Sequence, residues 1–241
     1  MHRIFVSDLH LCPTRPAINQ TFFEFLRGPA AQAEALYILG DLFEYWAGDD
    51  DDDTFNASVR AALRALSGRG VGIFLMHGNR DFLIGARFAA ACGAQLLPDP
   101  TLLDLYGTRT LLMHGDTLCT DDAGYQEFRA QVRNPAFQDQ FLGQSLARRK
   151  EIIAGLRAEN AAEKEQKSAA IMDVTIATVE AELRKYGYPR LIHGHTHRPA
   201  LHQHVVDGHR CERWVLDDWY ASGSCLRCDA AGCRVIQLAT T

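Results

Sequence analysis

Five short apolar runs in this chain stop at the same kind of punctuation, and that repetition constrains the fold more than any other feature. RIFVSDLH (3–10) ends in Ser7-Asp8-Leu9-His10, ALYILGD (35–41) in Gly40-Asp41, and VGIFLMHGNRD (71–81) in Gly78-Asn79-Arg80-Asp81. LLDLYGTRTLLMHGD (102–116) ends in His114-Gly115-Asp116, and RLIHGHTH (190–197) in His195-Thr196-His197. Short apolar runs bounded by polar residues have the pattern of buried strands. Helical patterns from about Asn19 to Ala33 and from about Ser58 to Leu66 fall between the first three runs. Strands alternating with helices predict an α/β core. Ligands of such sheets bind just beyond the carboxyl ends of the strands. The five ends would then deliver Asp, His and Asn side chains to one rim, with glycines allowing the sharp turns and close approaches.

Within 102–116, Tyr106-Gly107-Thr108 reads as the turn of a hairpin. From about Asp121 to Tyr186 the pattern is helical and rich in Ala, Glu, Lys, Arg and Gln, and from Leu201 to Leu238 short β runs alternate with DG, SG and AG turns. In 241 residues without internal repeat or long linker, we expect one domain over 1–241, with a helical insertion at about 121–186. A net charge of −5 argues against broad binding to nucleic acid. MHRIFVSD opens as a strand, not as the charged start of an export signal, and no apolar stretch is long enough to span a bilayer. A cytoplasmic location follows as an expectation, with the seven cysteines as reduced thiols. Cys211, Cys225, Cys228 and Cys233 lack the two close-spaced pairs of a zinc site and read as buried small side chains. The run Asp49–Asp53 reads as a solvated acidic loop, not as a metal site.

Asp8, His10, Asp41, Asn79, His114, His195 and His197 are mixed oxygen and nitrogen donors, too many for one zinc-like ion. They suit two divalent ions sharing a carboxylate, and Asp41, the single acid ending the second run, is the natural bridge. The absence of cysteine among them favours Mn²⁺, Fe²⁺ or Zn²⁺. The surplus charge of two divalent ions over two carboxylates attracts an anionic phosphate, and water bound to such ions becomes a nucleophile near neutral pH. In LIHGHTHRP (191–199), His193, His195 and His197 occupy alternate positions, which share one side of a regular strand. Gly194 and Pro199 indicate that the strand ends and turns here.

The series D-x-H, G-D, G-N, H-G-D and G-H-T-H, in this order, resembles the calcineurin-like metallophosphoesterases over most of the chain outside the helical block. The resemblance implies a four-layer α/β/β/α sandwich. It implies one ion held by Asp8, His10, Asp41 and His197 and another held by Asp41, Asn79, His114 and His195, with no ligand role for His193. Asp116 is expected to orient a ligand from behind, and Asp41, Asn79, Arg80 and His195 are the expected catalytic residues. Many members carry His where this chain has Arg80. Arginine is a poor general acid but holds phosphate oxygens and stabilises developing charge. It suits a leaving group that needs little protonation, such as a phosphate monoester leaving from a pyrophosphate, better than an alkoxide.

Arg157, Asn160, Lys164 and Lys167, spaced three, four and three apart, share one face of a helix. The plain reading is a solvated stripe; the functional one is a lid over the rim. Ile152, Ile153, Leu156, Ile171, Val174 and Val179 offer apolar surface nearby, for the core or for lipid chains. With the openings MHRIFVSDLHL and LYILGDLFEYW, these features resemble, end to end, the family of UDP-2,3-diacylglucosamine pyrophosphatases of lipid A biosynthesis. That resemblance implies hydrolysis of UDP-2,3-diacylglucosamine to UMP and 2,3-diacylglucosamine 1-phosphate (lipid X) by attack of dimetal-activated water on the α-phosphorus. It implies Mn²⁺ as the metal, peripheral work at the cytoplasmic face of the bacterial inner membrane, and no obligate protein partner. Asn79, Arg80, Asp122, Asn160, Lys164, Lys167 and His195 fall at the family's substrate-contacting positions, and Arg157 joins them through its helix face. One alternative is a dimetal phosphodiesterase acting on soluble nucleotides, sharing the metals and differing in the lid. A noncatalytic scaffold on the same fold is disfavoured by the full ligand set.

Overall fold

The strand β1 (Arg3–Val6) buries Ile4 and Val6 on one side and Phe5 on the other, and β2 (Ala35–Leu39) likewise divides Leu36 and Ile38 from Ala35, Tyr37 and Leu39. Strands that are apolar on both faces must be covered on both, and the computed structural model, which describes residues 1–166 and 173–238, shows both covers. β1 and β2 run parallel to each other and to β3 (Gly72–Met76) and β4 (Ala94–Leu97). Two antiparallel strands, β10 (Ser224–Asp229) and β11 (Gly232–Gln237), complete a six-stranded sheet in the order β11-β10-β1-β2-β3-β4.

Helices α1 (Pro16–Arg27), α2 (Thr54–Ser67) and α3 (Ala86–Cys92) cover its outer face with Phe22, Phe25, Val59, Leu63 and Phe88. Against the inner face lies a five-stranded sheet, β5-β6-β7-β9-β8. It is made of β5 (Thr101–Leu105), β6 (Thr108–Leu112), β7 (Arg190–His193), β8 (Ala200–Val206) and β9 (His209–Val215). Phe5, Tyr37 and Phe74, stacked in register across three strands at 4.8 and 4.7 Å between centroids, meet Leu112, Ile192 and Trp214 in the space between the sheets.

β6 and β7 are parallel neighbours, so the chain between them must leave the sheet and return. That excursion is α4 (Ala123–Val132), α5 (Pro135–Leu142), α6 (Leu146–Gln166) and α7 (Ile176–Lys185). Val179 and Leu183 of α7 pack on Leu111 and Leu191 and form the outer layer of the second sheet, so the fold is the expected α/β/β/α sandwich. The stretch that roofs the strand ends is α4–α6, while Val174 and Val179 belong to the core beneath α7.

The hairpin turns on Tyr106 and Gly107, at φ 54° and 86°, the geometry that favours two-residue loops between twisted strands. α3 and β4 were not legible as patterns. One has seven residues, and the other exposes or half-exposes all four of its side chains at a sheet edge. The expectation of seven reduced thiols needs correction. Cys228 and Cys233 stand directly opposite each other in the β10–β11 ladder and form a disulfide. A zinc cluster is excluded by the same topology, because Cys225, Cys211 and Cys228 enter three different interiors.

Candidate dimetal active site

At the carboxyl ends of the strands the backbone folds back on itself. Asp8, His10, Asp41, His195 and His197 have φ between 49° and 68°, and they are five of the eight non-glycine residues with positive φ among those described. Such concentrations of unusual backbone mark sites held in place by their surroundings. Asp8 N donates to Gly40 O at 3.1 Å and His10 N to Asp41 O at 3.0 Å, which ties the first strand end to the second. His195 N donates to Asp8 Oδ2 at 2.8 Å and Gly194 N to His114 O at 2.8 Å, which draws in the other two. A Cβ at Gly78 would collide with the Asp41 carboxylate, and one at Gly194 with Ser7 and Asp8, so these glycines permit the approach.

Asp81 holds the second and third ends together and was not assigned a role from sequence. Its buried carboxylate accepts from Gly78 N at 2.9 Å and Leu42 N at 2.7 Å.

All seven proposed donors arrive at one place. His10 Nε2 lies 3.3 Å from His197 Nε2, and His197 Nε2 lies 3.3 Å from Asp8 Oδ1. Asp41 turns Oδ2 toward His10 Nε2 at 3.8 Å and Oδ1 toward His114 Nε2 at 3.9 Å, one oxygen to each side. Asn79 Oδ1 sits 3.1 Å from His114 Nε2 and 2.9 Å from His195 Nδ1. Ligand atoms of Asp8, His10 and His197 all lie within 4.8 Å of one another, and so do those of Asp8, Asp41 and His114. Carboxylate and imidazole donors crowded this closely and buried fit divalent cations with nitrogen and oxygen preferences.

The electrostatics agree with that fit. Burial raises the Asp41 carboxyl to about 6. Burial pushes Asp8 the same way, but the His197 hydrogen bond and the nearby imidazoles outweigh it and hold Asp8 below the usual carboxylate range. Burial opposes charge on His114, yet Asp41, Asp116 and Asp8 raise it to about 9. His195 falls to about 3 through burial and the His114 charge. Buried carboxylates here draw positive charge inward, the role a cation fills in such a cluster.

His193 is buried beside the cluster and points away from it, with Nδ1 at 2.8 Å from Gly194 O and Nε2 accepting from Arg213 at 3.2 Å. Asp116 does not touch a ligand. It accepts from Tyr125 Oη at 2.9 Å and Arg129 Nε at 2.6 Å, both on α4, and so fastens the roof to the rim. Tyr125 in turn stands over His195 with ring centroids 5.9 Å apart. Arg133 donates to Gly78 O at 2.8 Å, a second tie.

The Asp49–Asp53 run is not the solvated loop expected. Asp49 accepts from Trp46, Gly85 and Phe88, and Asp53 caps α2 through Asn56 N. Asp52 pairs with Arg60 and Arg87, Asp50 pairs with Arg149, and Asp51 with Lys150 at 2.8 Å. Arg149 and Lys150 lie on α6, so the run anchors the roof, an arrangement that only the docked helix supplies.

Between rim and roof is a cavity of about 690 Å³. Asn79, Arg80, His195 and His197 line its floor, and Phe128, Phe141, Ile152, Ile153 and Leu156 belong to its apolar walls. The Arg80 guanidinium makes no hydrogen bond or ion pair among the described residues and stays available to a ligand, while Arg80 N donates to Asp41 Oδ1 at 2.8 Å. Asp122 caps α4 through Tyr125 N at 3.1 Å and borders the cavity. Arg157 also borders it, paired with Glu44 at 2.7 Å. Lys167 and the side chains of Asn160 and Lys164 lie outside the described residues.

Glu44 was not singled out from sequence. The signal was a lone acid among aromatic residues in FEYW, because a buried carboxylate requires a partner.

The model of the calcineurin-like phosphoesterases matches residues 1–199. A UDP-2,3-diacylglucosamine hydrolase of Aromatoleum aromaticum is 55% identical over 96% of this chain and 95% of its own. Proteins of the same name from Xanthomonas axonopodis pv. citri and Xanthomonas oryzae pv. oryzae are 52% and 51% identical, each over 99% of this chain and 100% of theirs. With the motifs, the sandwich and the donor cluster in register, the chain belongs to the calcineurin-like phosphoesterase family, in the group of these three relatives.

Proposed function

We propose that this protein hydrolyses the pyrophosphate of UDP-2,3-diacylglucosamine to UMP and 2,3-diacylglucosamine 1-phosphate, by attack of water on the α-phosphorus. The observation that carries the reading is one continuous cavity with a floor of phosphate-chemistry residues and walls of apolar side chains from α4–α6. A diphosphate joined to a diacylated sugar needs both. Asp8, His10, Asp41 and His197 would hold one divalent ion and Asp41, Asn79, His114 and His195 the other, with Mn²⁺ as the metal we expect. When bound, the pair supplies Lewis acidity, neutralising phosphate charge and lowering the proton affinity of water.

The protein's own groups do the rest. Arg80 holds non-bridging oxygens with a planar fork that keeps its charge throughout. The leaving lipid phosphate is already a weak base, so no general acid is needed at that position. His195, held by Asn79 Oδ1, presents its ring at the floor beneath Tyr125. Asp122, Arg157, Asn160, Lys164 and Lys167 would contact the sugar and phosphates.

No helix among the described residues is long and apolar enough to cross a membrane. Phe128, Leu142 and Leu156, at 37%, 39% and 37% exposure, lie on α4–α6 and suit peripheral contact with the cytoplasmic face of an inner membrane, where the diacylated substrate resides.

The test is turnover of synthetic UDP-2,3-diacylglucosamine in oxygen-18 water, with metal stripped and then restored. We expect activity to return best with Mn²⁺ and the label to enter UMP. Label in the lipid phosphate would overturn the site of attack. Preference for soluble UDP-sugars or cyclic nucleotides would overturn the substrate.

A further inference from the structure

Glu44 has no part in the reaction above, yet it is buried beside one of the proposed ligands. Its Oε2 lies 3.2 Å from Nδ1 of His10. The other ring nitrogen of His10 faces the donor cluster, 3.3 Å from His197 Nε2 and 3.8 Å from Asp41 Oδ2. Oε1 of the same carboxylate accepts from Nη2 of Arg157 on α6 at 2.7 Å, and the Tyr220 hydroxyl reaches Oε2 at 3.4 Å. One side chain therefore touches a proposed metal ligand with one oxygen and the roof with the other. The contact with His10 is short but off the N–H axis, so Nδ1 has no aligned acceptor. Arg157 holds the other end of that carboxylate.

We propose that Glu44 is a positioning residue that couples His10 to the roof. It fixes the His10 tautomer with the Nε2 lone pair turned toward the cation, and it does so more firmly when Arg157 lets go. The proposal rests on the ligand role given to His10 above. An imidazole that ligates through one nitrogen carries its proton on the other, and an acceptor there sets both tautomer and ring orientation. Because one carboxylate serves both partners, the coupling is reciprocal. A cation that aligns His10 on Glu44 must loosen Glu44 from Arg157 by the same free energy. Loading the site thereby releases a roof guanidinium for an anionic substrate, and a substrate that takes Arg157 tightens the cation.

The measurement is binding of Mn²⁺ alone to metal-stripped protein, followed by the spin-resonance signal of the free ion. It needs no substrate, so its outcome is independent of which phosphoester is cleaved. Glu44→Gln, nearly isosteric, should weaken one of the two sites roughly 10- to 100-fold and leave the other unchanged, which also reports an intact fold. Arg157→Ala should tighten that same site several-fold in the wild-type background and have no effect in the Glu44→Gln background. Equal shifts from Arg157→Ala in both backgrounds would mean that its charge acts directly on the cation, and the coupling would fall. Wild-type affinity at both sites in Glu44→Gln would remove the positioning role. Uptake of fewer than two ions by the wild type would overturn the ligand assignment and the proposal with it.

Discussion

Replacing Arg149 by Ala should undock the roof while leaving the sandwich folded. Arg149 is 2% exposed although it belongs to α6. Its Nη1 donates to Ala47 O at 2.6 Å, its Nε to Gln144 O at 3.1 Å, and both Nη atoms engage Asp50. Removing a charged donor from a buried carbonyl costs about 1.5–3 kcal/mol. The Asp50 side chain is 52% exposed, so solvent screening limits its pair to about 0–1 kcal/mol. The total, about 1.5–4 kcal/mol, corresponds to a roughly 10- to 700-fold shift in the docking equilibrium. Hydrogen exchange should show it as lost protection in peptides covering α5 and the first half of α6, with β1–β3 unchanged, since segments open as local units. Turnover of the diacylated substrate should fall far more than turnover of a small activated phosphodiester, because remote contacts serve only substrates that reach them. Uniform loss of protection across the sheets, with equal loss on both substrates, would refute the reasoning and make Arg149 part of the general core.

Asp41→Ala should lower activity by several orders of magnitude and weaken uptake of both ions; retention of most activity with Mn²⁺ present would exclude the bridge. Arg80→Ala should lose about 2–4 kcal/mol of transition-state stabilisation, Arg80→Lys should recover only part, and Arg80→His should not help on the pyrophosphate. Wild-type rates in Arg80→His with a new acid limb in the pH profile would refute the phosphate leaving-group argument. The hydrogen bond from Arg149 holds Asp50 below its ordinary value of 3.8. A depressed carboxylate stabilises above the unfolded value and loses that contribution as pH falls through the folded one. The difference in melting temperature between wild type and Asp50→Asn should therefore hold above about pH 5 and vanish well below pH 4; a constant difference would exclude the ionic form of the clamp.

The rim was legible because its logic is local. Each end couples an apolar run to a polar stop, and Asp8, His10, Asp41, Asn79, His114, His195 and His197 all lie at those stops. Alternation alone grouped His193 with His195 and His197, and only the resemblance to the metallophosphoesterases set it apart. What stayed hidden depends on segments that meet only after folding. Glu44 and Arg157 are 113 positions apart, and Asp50 and Arg149 are 99 apart. No spacing rule connects them, so the acidic run looked solvated and Arg157 looked free. The disulfide was missed for a different reason. Compartment argued for thiols, whereas the five-residue separation of Cys228 and Cys233 across a tight turn argued for apposition.

The left-handed backbone at Asp8, His10, Asp41, His195 and His197 also restricts the vocabulary of ligands the rim can use. Asp, Asn and His tolerate positive φ better than most side chains, and they are the hard and borderline donors of metal chemistry. At these five positions backbone and coordination thus select the same two residue types, Asp and His. A thiolate introduced at His195 or His197 to recruit a soft ion such as Cu(I) would forgo the several-fold preference that His has for left-handed backbone before any metal arrived. The preference for oxygen and nitrogen donors is written into the bends of the chain as well as into its side chains.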